Sequence, residues 1–166
     1  MQERRKNIHN IMKLAIIAGL YVVLTYALNF ISFGEVQFRI AEILMILCFF
    51  NSKYSIALIL GCFVANLFSP YGLPDIIFGT LATAVACLLI TLFKGKHLWL
   101  ASTMVPIANI IVGFEIVFMN SLPWPGALLT IISVFIGEFV VVCLVGVPIF
   151  KWLMNNDTFK ELILDM

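Results

Sequence analysis

Four apolar segments, each long enough to cross a lipid bilayer, dominate this sequence. They cover residues 11–31, 76–93, 98–119 and 127–150. A hydrocarbon core about 30 Å thick needs about 20 helical residues, because each residue of an α-helix rises about 1.5 Å. The chain is 63% hydrophobic and only 11% charged, so it lacks the polar surface that a water-soluble domain requires. These features exclude a cytosolic enzyme and a nucleic-acid-binding protein, and they predict an all-α integral membrane protein.

A fifth apolar stretch, residues 40–68, is interrupted by the polar residues Asn51, Ser52 and Lys53. Three consecutive polar residues fit an interfacial turn better than a lipid environment. We therefore divide this stretch into two short helices, residues 40–50 and 54–68. The sequence thus predicts six helices in a single domain that covers residues 1–166.

The basic residues indicate how these helices are oriented. If six spans are threaded from the N-terminus, nine of the ten Lys and Arg residues fall on one side of the membrane, and Arg39 is the exception. Lys and Arg concentrate in the cytoplasmic loops of membrane proteins. The pattern therefore predicts that the N-terminus and the C-terminus are both cytoplasmic.

Sequence signals for catalysis and cofactor binding are missing. The chain has no phosphate-binding glycine loop, no nucleophile elbow and no HExxH zinc motif. The four cysteines, which lack CxxC spacing, are interpreted as small apolar residues of the core. We therefore predict no catalytic residue, no metal site and no cofactor.

Acidic residues have the opposite distribution. Glu35, Glu42, Asp75, Glu115 and Glu138 all map to the outer half or the middle of the membrane, where an ionisable side chain marks a function or a pairing. Arg39 and Glu42, three residues apart at a helix start, are positioned to neutralise each other. The remaining acids have no cation on their side, and this excess predicts a pocket for a positively charged ligand. Glu138 is equally explained by a hydrogen bond to a neighbour.

Further polar and aromatic residues are expected around this pocket. Helices as short as 40–50 and 54–68 end below the outer surface, so the segments that join them should line an outward-facing cavity. Trp124, between two prolines, is interpreted either as an interfacial aromatic residue or as a lid that stacks on a planar ligand. The other candidates are Gln37, Arg39, Asn66 and Asn109.

Small residues mark one face of the first helix. Ala15 and Gly19 are four residues apart, a spacing that lets two helices approach closely. From the spacing alone, packing within the bundle and contact with a partner protein both remain open.

Two segments resemble a known family. Residues 36–42 (VQFRIAE) and 66–83 (NLFSPYGLPDIIFGTLAT) are similar to the QueT-type family, the substrate-binding (S) components of energy-coupling factor (ECF) transporters. The resemblance implies a six-helix bundle in a bacterial plasma membrane that binds a queuosine precursor, a 7-deazaguanine such as the aminomethyl form, in an outward-facing pocket. It also implies a partner, the ECF module, which comprises a transmembrane coupling protein and two ATPase subunits. The docking residues that it implies are Ala15, Ala18 and Gly19.

The resemblance suggests roles for the polar residues. We hypothesise that Glu42 or Glu115 reads the guanine-like edge of the ligand and that Asp75 or Glu138 contacts its ammonium group. Amides and the guanidinium then satisfy the ligand's carbonyl group and ring nitrogens. Two alternatives stay open: a proton-coupled secondary carrier with Glu115 and Glu138 as relay groups, and a membrane scaffold. The amide and guanidinium residues of the first hypothesis are Asn66, Asn109, Gln37 and Arg39.

Overall fold

The computed structural model describes residues 2–28 and 38–164, and every regular element in these ranges is a helix. The all-α prediction is confirmed for this part of the chain. The helices are α1 (Gln2–Ala27), α2 (Ile40–Phe50), α3 (Tyr54–Asn66), α4 (Leu73–Leu92), α5 (Leu98–Met119), α6 (Gly126–Leu153) and α7 (Asp157–Leu164). Four of them, α1, α4, α5 and α6, are long and apolar enough to cross a membrane, whereas α2 and α3 are shorter apolar helices.

Several helix boundaries differ from the predicted ones. Helix α1 begins at Gln2 instead of residue 11 because the basic tail is also helical; its predicted end at residue 31 lies outside the described residues. Helix α4 begins at Leu73 instead of residue 76. There Gly72 adopts φ +69° and Pro74 occupies the first helical turn, where the missing proline N–H costs no hydrogen bond. Helix α3 ends at Asn66, two residues before its predicted end.

The predicted turn between α2 and α3 is confirmed. Helix α2 starts as a 3₁₀-helix over Ile40–Ile46 and ends as an α-helix over Leu47–Phe50. Asn51 then adopts an extended conformation with φ −146°, and its side-chain oxygen accepts a hydrogen bond of 3.1 Å from the backbone N–H of Lys53. Asparagine favours such turns because its side chain can replace a backbone acceptor.

Two of the long helices are irregular. Helix α5 is interrupted at Thr103 and again at Asn109, on either side of Pro106, which lacks an N–H group and disturbs the preceding turn. Helix α6 contains a π-helical stretch over Phe139–Gly146. Such stretches are frequent at functional sites, and this one begins directly after Glu138.

The bundle is apolar on its outer surface. Large side chains such as Leu73, Leu92 and Phe118 are between 67% and 82% exposed, as expected of surfaces that face lipid. Helix α2 packs against α1, α3, α4 and α6, so it lies in the interior. The polar residues at its start are therefore shielded from the surroundings by the other helices.

Helix α7, which the sequence did not predict, lies across one end of the bundle. Its Ile163 is buried, and Phe159 packs edge-to-face on Phe150 of α6. The carbonyl of Leu162 accepts a hydrogen bond of 2.9 Å from Lys13 Nζ of α1, and the carbonyl of Ile163 accepts one of 3.3 Å from Tyr54 Oη of α3. Helix α7 thereby joins α1, α3 and α6.

Candidate ligand-binding site

Seven of the nine predicted ligand-binding residues are buried in the interior of the bundle. They come from five helices or their ends, and each is at most 6% exposed. Polar side chains this deep in an apolar bundle are costly unless they are paired or functional. The seven residues, which we call the polar cluster, are Arg39, Glu42, Asn66, Asp75, Asn109, Glu115 and Glu138.

An ion pair joins the start of α2 to the start of α4. Arg39 Nη2 lies 2.8 Å from Asp75 Oδ1, and both side chains are almost completely buried. Asn66, at the end of α3, donates a hydrogen bond of 2.9 Å to the backbone carbonyl of Asp75. The sequence spacing favoured a pair between Arg39 and Glu42, but the ion pair that the structure describes is with Asp75. Tertiary packing decides this pairing, because the first turn of α4, which carries Asp75, lies directly beside Arg39.

A second group of polar residues joins α2, α5 and α6. The Asn109 amide donates a short hydrogen bond to Glu42 Oε2, and the carboxyl groups of Glu42 and Glu138 contact each other. Asn109 is positioned by the second interruption of α5, and Glu138 by the turn before the π-helical stretch. The structure therefore brings acids from α2 and α6 into contact beside Asn109.

Glu115 connects the polar cluster to a cavity. Its carboxyl group is close enough to Asp75 and Arg39 to interact electrostatically with both. It also lines a cavity of about 300 Å³ between α4 and α5, whose other walls are Phe78, Ile111, Phe114 and Phe118. Phe114 and Phe118 are exposed on the outer surface, so Glu115 lies between the polar cluster and the lipid-facing side of α4 and α5.

The described part of the polar cluster has more hydrogen-bond acceptors than donors. It contains four carboxyl groups and one guanidinium group, and oxygens on five of its side chains are buried without a hydrogen bond to any described residue. A buried acceptor without a donor costs about 1–3 kcal/mol. The cluster is therefore suited to a ligand that brings N–H donors and positive charge. The five atoms are Glu42 Oε1, Asn66 Oδ1, Asp75 Oδ2, Glu115 Oε2 and Glu138 Oε2.

Sequence reasoning missed three residues that shape this site. Gly79 of α4 leaves room for the cluster, because a Cβ atom there would lie 2.6 Å from Asn66 Nδ2 and 3.2 Å from Arg39 Nη1. Thr83 Oγ1 donates to Cys62 Sγ at 3.1 Å, and Asn66 Nδ2 contacts the same sulfur at 3.4 Å. Cys62 is therefore a hydrogen-bonding residue as well as a core residue. A glycine inside an apolar helix is the signal that identifies such a close approach.

We predict that Gly79→Ala lowers both stability and ligand affinity. The added methyl group displaces the Asn66 amide from its hydrogen bonds to Asp75 and Cys62, and overpacking of this kind costs about 1–3 kcal/mol. Thermal unfolding and ligand titration of the purified protein measure the two effects. Gly126→Ala is the matched control, since a Cβ atom at Gly126 would have no neighbour within 4 Å. Equal behaviour of the two variants would contradict the assignment of Gly79 to the site.

The remaining predicted residues lie elsewhere. Trp124 is 72% exposed, in the loop between α5 and α6, and so lies outside the polar cluster; Gln37 lies outside the described residues. Ala15 and Gly19 are exposed on α1, whereas half-buried Ala18 faces α3. A Cβ atom at Gly61 of α3 would lie 3.0 Å from the Ala18 carbonyl oxygen.

Apolar helices of membrane-spanning length around a buried, acid-rich cluster are the arrangement of a multi-pass membrane protein. A sequence profile of the QueT transporter family matches residues 11–155. The chain belongs to this family, which confirms the resemblance seen in its sequence.

The chain is 39% identical over 102 residues to the queuosine precursor transporter QueT of Lactococcus lactis subsp. cremoris, a match that covers 58% of this chain and 60% of that protein. The match thus spans less than two thirds of the relative's length. No solved structure matches the chain.

Proposed function

We propose that this chain is the substrate-binding S component of an ECF transporter in a bacterial plasma membrane. In this proposal it captures a queuosine precursor, a 7-deazaguanine such as the aminomethyl form, and ATP hydrolysis by partner subunits drives the import. Membership of the QueT transporter family and the name of the Lactococcus lactis relative support the transported substrate. The shortage of donors in the polar cluster is the structural observation that supports it most directly.

The chemistry of the ligand complements that of the polar cluster. A 7-deazaguanine presents N–H donors along its pyrimidine edge, and a carboxylate can accept two of them side by side. The aminomethyl group adds an ammonium, which suits a site where four carboxyl groups surround one guanidinium. We assign the guanine-like edge to Glu115 or Glu42 and the ammonium to Asp75 or Glu138.

The proposed topology has six helices in the membrane and both termini in the cytoplasm. Its basis is the distribution of basic residues, nine of ten of which fall on one side. The contacts of α7 agree with it, since the hydrogen bond from Tyr54 to Ile163 brings the start of α3 to the same end of the bundle as the C-terminal helix. The polar cluster then lies in the half of the membrane that faces outward.

The proposed docking surface for the ECF module is the exposed face of α1. Ala15 and Gly19 are both exposed there, and small residues let a partner helix approach closely. Ala18, the third residue that the resemblance implied, faces α3 instead and is better placed to hold α1 on the bundle.

Uptake of labelled aminomethyl precursor into cells tests the proposed function. We expect uptake when this chain is produced together with the ECF module, and none when the ATPase subunits carry inactivating substitutions. The main alternative is a proton-coupled carrier, which the contact between Glu42 and Glu138 favours. An uncoupler distinguishes this alternative from the ECF proposal because it removes the proton gradient that such a carrier needs. Uptake that persists without active ATPase subunits and stops with the uncoupler would replace the ECF proposal with that carrier.

A further inference from the structure

A groove of about 760 Å³ lies at the end of the bundle opposite the loop that carries Trp124. It is formed by the loop between α4 and α5, the start of α5 and the end of α6. Its basic and aromatic lining comprises Lys96, His97, Trp99, Lys151 and Trp152. Phe49 and Phe50, from the end of α2, add apolar surface. The groove therefore combines positive charge with aromatic rings, and none of these lining residues belongs to the polar cluster.

The lysine side chains of the groove are held by aromatic rings. Lys151 Nζ lies 5.8 Å from the centroid of the Trp99 ring, and Lys96 Nζ lies 5.1 Å from that of Phe93. Such cation–π contacts orient an ammonium group and leave it charged. Among the described residues, no carboxylate lines the groove and neither lysine forms an ion pair with an acid. The positive charge of the groove is thus available to an anion.

The position of the groove identifies the kind of anion. Trp99 lies one residue after α5 begins, and Trp152 lies one residue before α6 ends. Both helices have membrane-spanning length, so their ends lie at the depth of the lipid headgroups, where tryptophan side chains concentrate. Trp152 is 73% exposed, which leaves its ring open to lipid. An anion that reaches this groove from within the bilayer is a phospholipid headgroup.

We propose that this groove is a binding site for an anionic phospholipid of the leaflet in which it lies. Lys96 and Lys151 bind the headgroup phosphate, and the acyl chains pack along Phe49, Phe50 and the ring of Trp152. Basic pockets between membrane helices bind anionic headgroups in this manner. The proposed lipid site requires only that the chain is embedded in a bilayer, so it does not depend on which substrate the protein transports.

Quenching of tryptophan fluorescence by brominated lipids tests the site. The chain has three tryptophans. A Trp124→Phe variant retains Trp99 and Trp152, both of which line the groove. In nanodiscs of equal parts phosphatidylglycerol and phosphatidylcholine, we expect brominated phosphatidylglycerol to quench more strongly than brominated phosphatidylcholine. The double variant Lys96→Gln/Lys151→Gln should lose this difference, because each lysine near an anionic headgroup contributes about fivefold in affinity, or about 30-fold for two.

The matched control is Lys53→Gln/Lys160→Gln, which removes the same charge from exposed positions outside the groove. It should retain the preference for phosphatidylglycerol. Equal quenching by the two brominated lipids in the Trp124→Phe background would overturn the proposal. Suppression of the preference by millimolar glycerol phosphate would also overturn it, since it would show a site for free anions. A preference for phosphatidylglycerol that persists in the Lys96→Gln/Lys151→Gln variant would likewise overturn the proposal.

Discussion

A Gly19→Trp variant is expected to bind the queuosine precursor normally and to transport none of it. Gly19 is exposed on α1, and a Cβ atom there would have no neighbour within 4 Å, so the bundle has room for a larger side chain. A tryptophan would instead occupy the space that the proposed partner helix requires. Ligand titration of the purified protein and uptake into cells that contain the ECF module measure the two properties separately.

Leu88→Trp provides the control for this experiment. Leu88 is 60% exposed on α4, so the variant places the same tryptophan side chain on a different lipid-facing surface and should transport normally. Ala15→Trp, four residues before Gly19, should reproduce the loss of uptake. Normal uptake by either α1 variant, with binding intact, would remove the exposed face of α1 from consideration as the docking surface.

Glu115→Gln is expected to lower affinity for the aminomethyl precursor by about 10- to 150-fold with little change in the stability of the protein. A hydrogen bond to a charged group contributes about 1.5–3 kcal/mol. Glu115 Oε2 has no hydrogen-bond partner among the described residues, so the substitution removes a contact to the ligand without breaking one that holds the bundle together. Isothermal titration and thermal unfolding report the two quantities. Glu161→Gln, on the exposed face of α7, controls for the change in net charge.

Asp75→Asn should behave differently from Glu115→Gln. Asp75 forms the buried ion pair with Arg39, and breaking a buried pair by removing one partner costs about 3–5 kcal/mol. We therefore expect a clear fall in unfolding temperature as well as weaker binding. If affinity is unchanged in both the Asp75 and the Glu115 variants, the polar cluster is not the ligand site.

The helices of this protein follow from its sequence because their determinants are local. Asn51 ends α2 and accepts a hydrogen bond from the backbone N–H of Lys53, and the polar residues that follow it are visible in the sequence. Pro74 was also visible, but α4 begins one residue before it because a proline is tolerated in the first helical turn. Helix α7 was missed because its short apolar stripe gains its stability from contacts with distant residues such as Tyr54.

The members of the polar cluster were predictable, and their pairing was not. Ionisable residues stand out in an apolar sequence, so Glu42, Asp75 and Glu138 were identified from their positions along the predicted spans. Which acid meets Arg39 depends on how α2 and α4 pack, and the neighbours in sequence indicated Glu42 where the structure describes Asp75. Gly79 was missed for the same reason, since its role is to leave a space that other helices fill.

The contacts of α7 have a mechanical consequence. Two hydrogen bonds and one aromatic contact fasten α1, α3 and α6 to the same short helix. We expect a force that the proposed partner exerts on the exposed face of α1 to reach α3 and α6 through these contacts. Under such a load the protein should tilt in the membrane as one rigid body, and the polar cluster would turn with it.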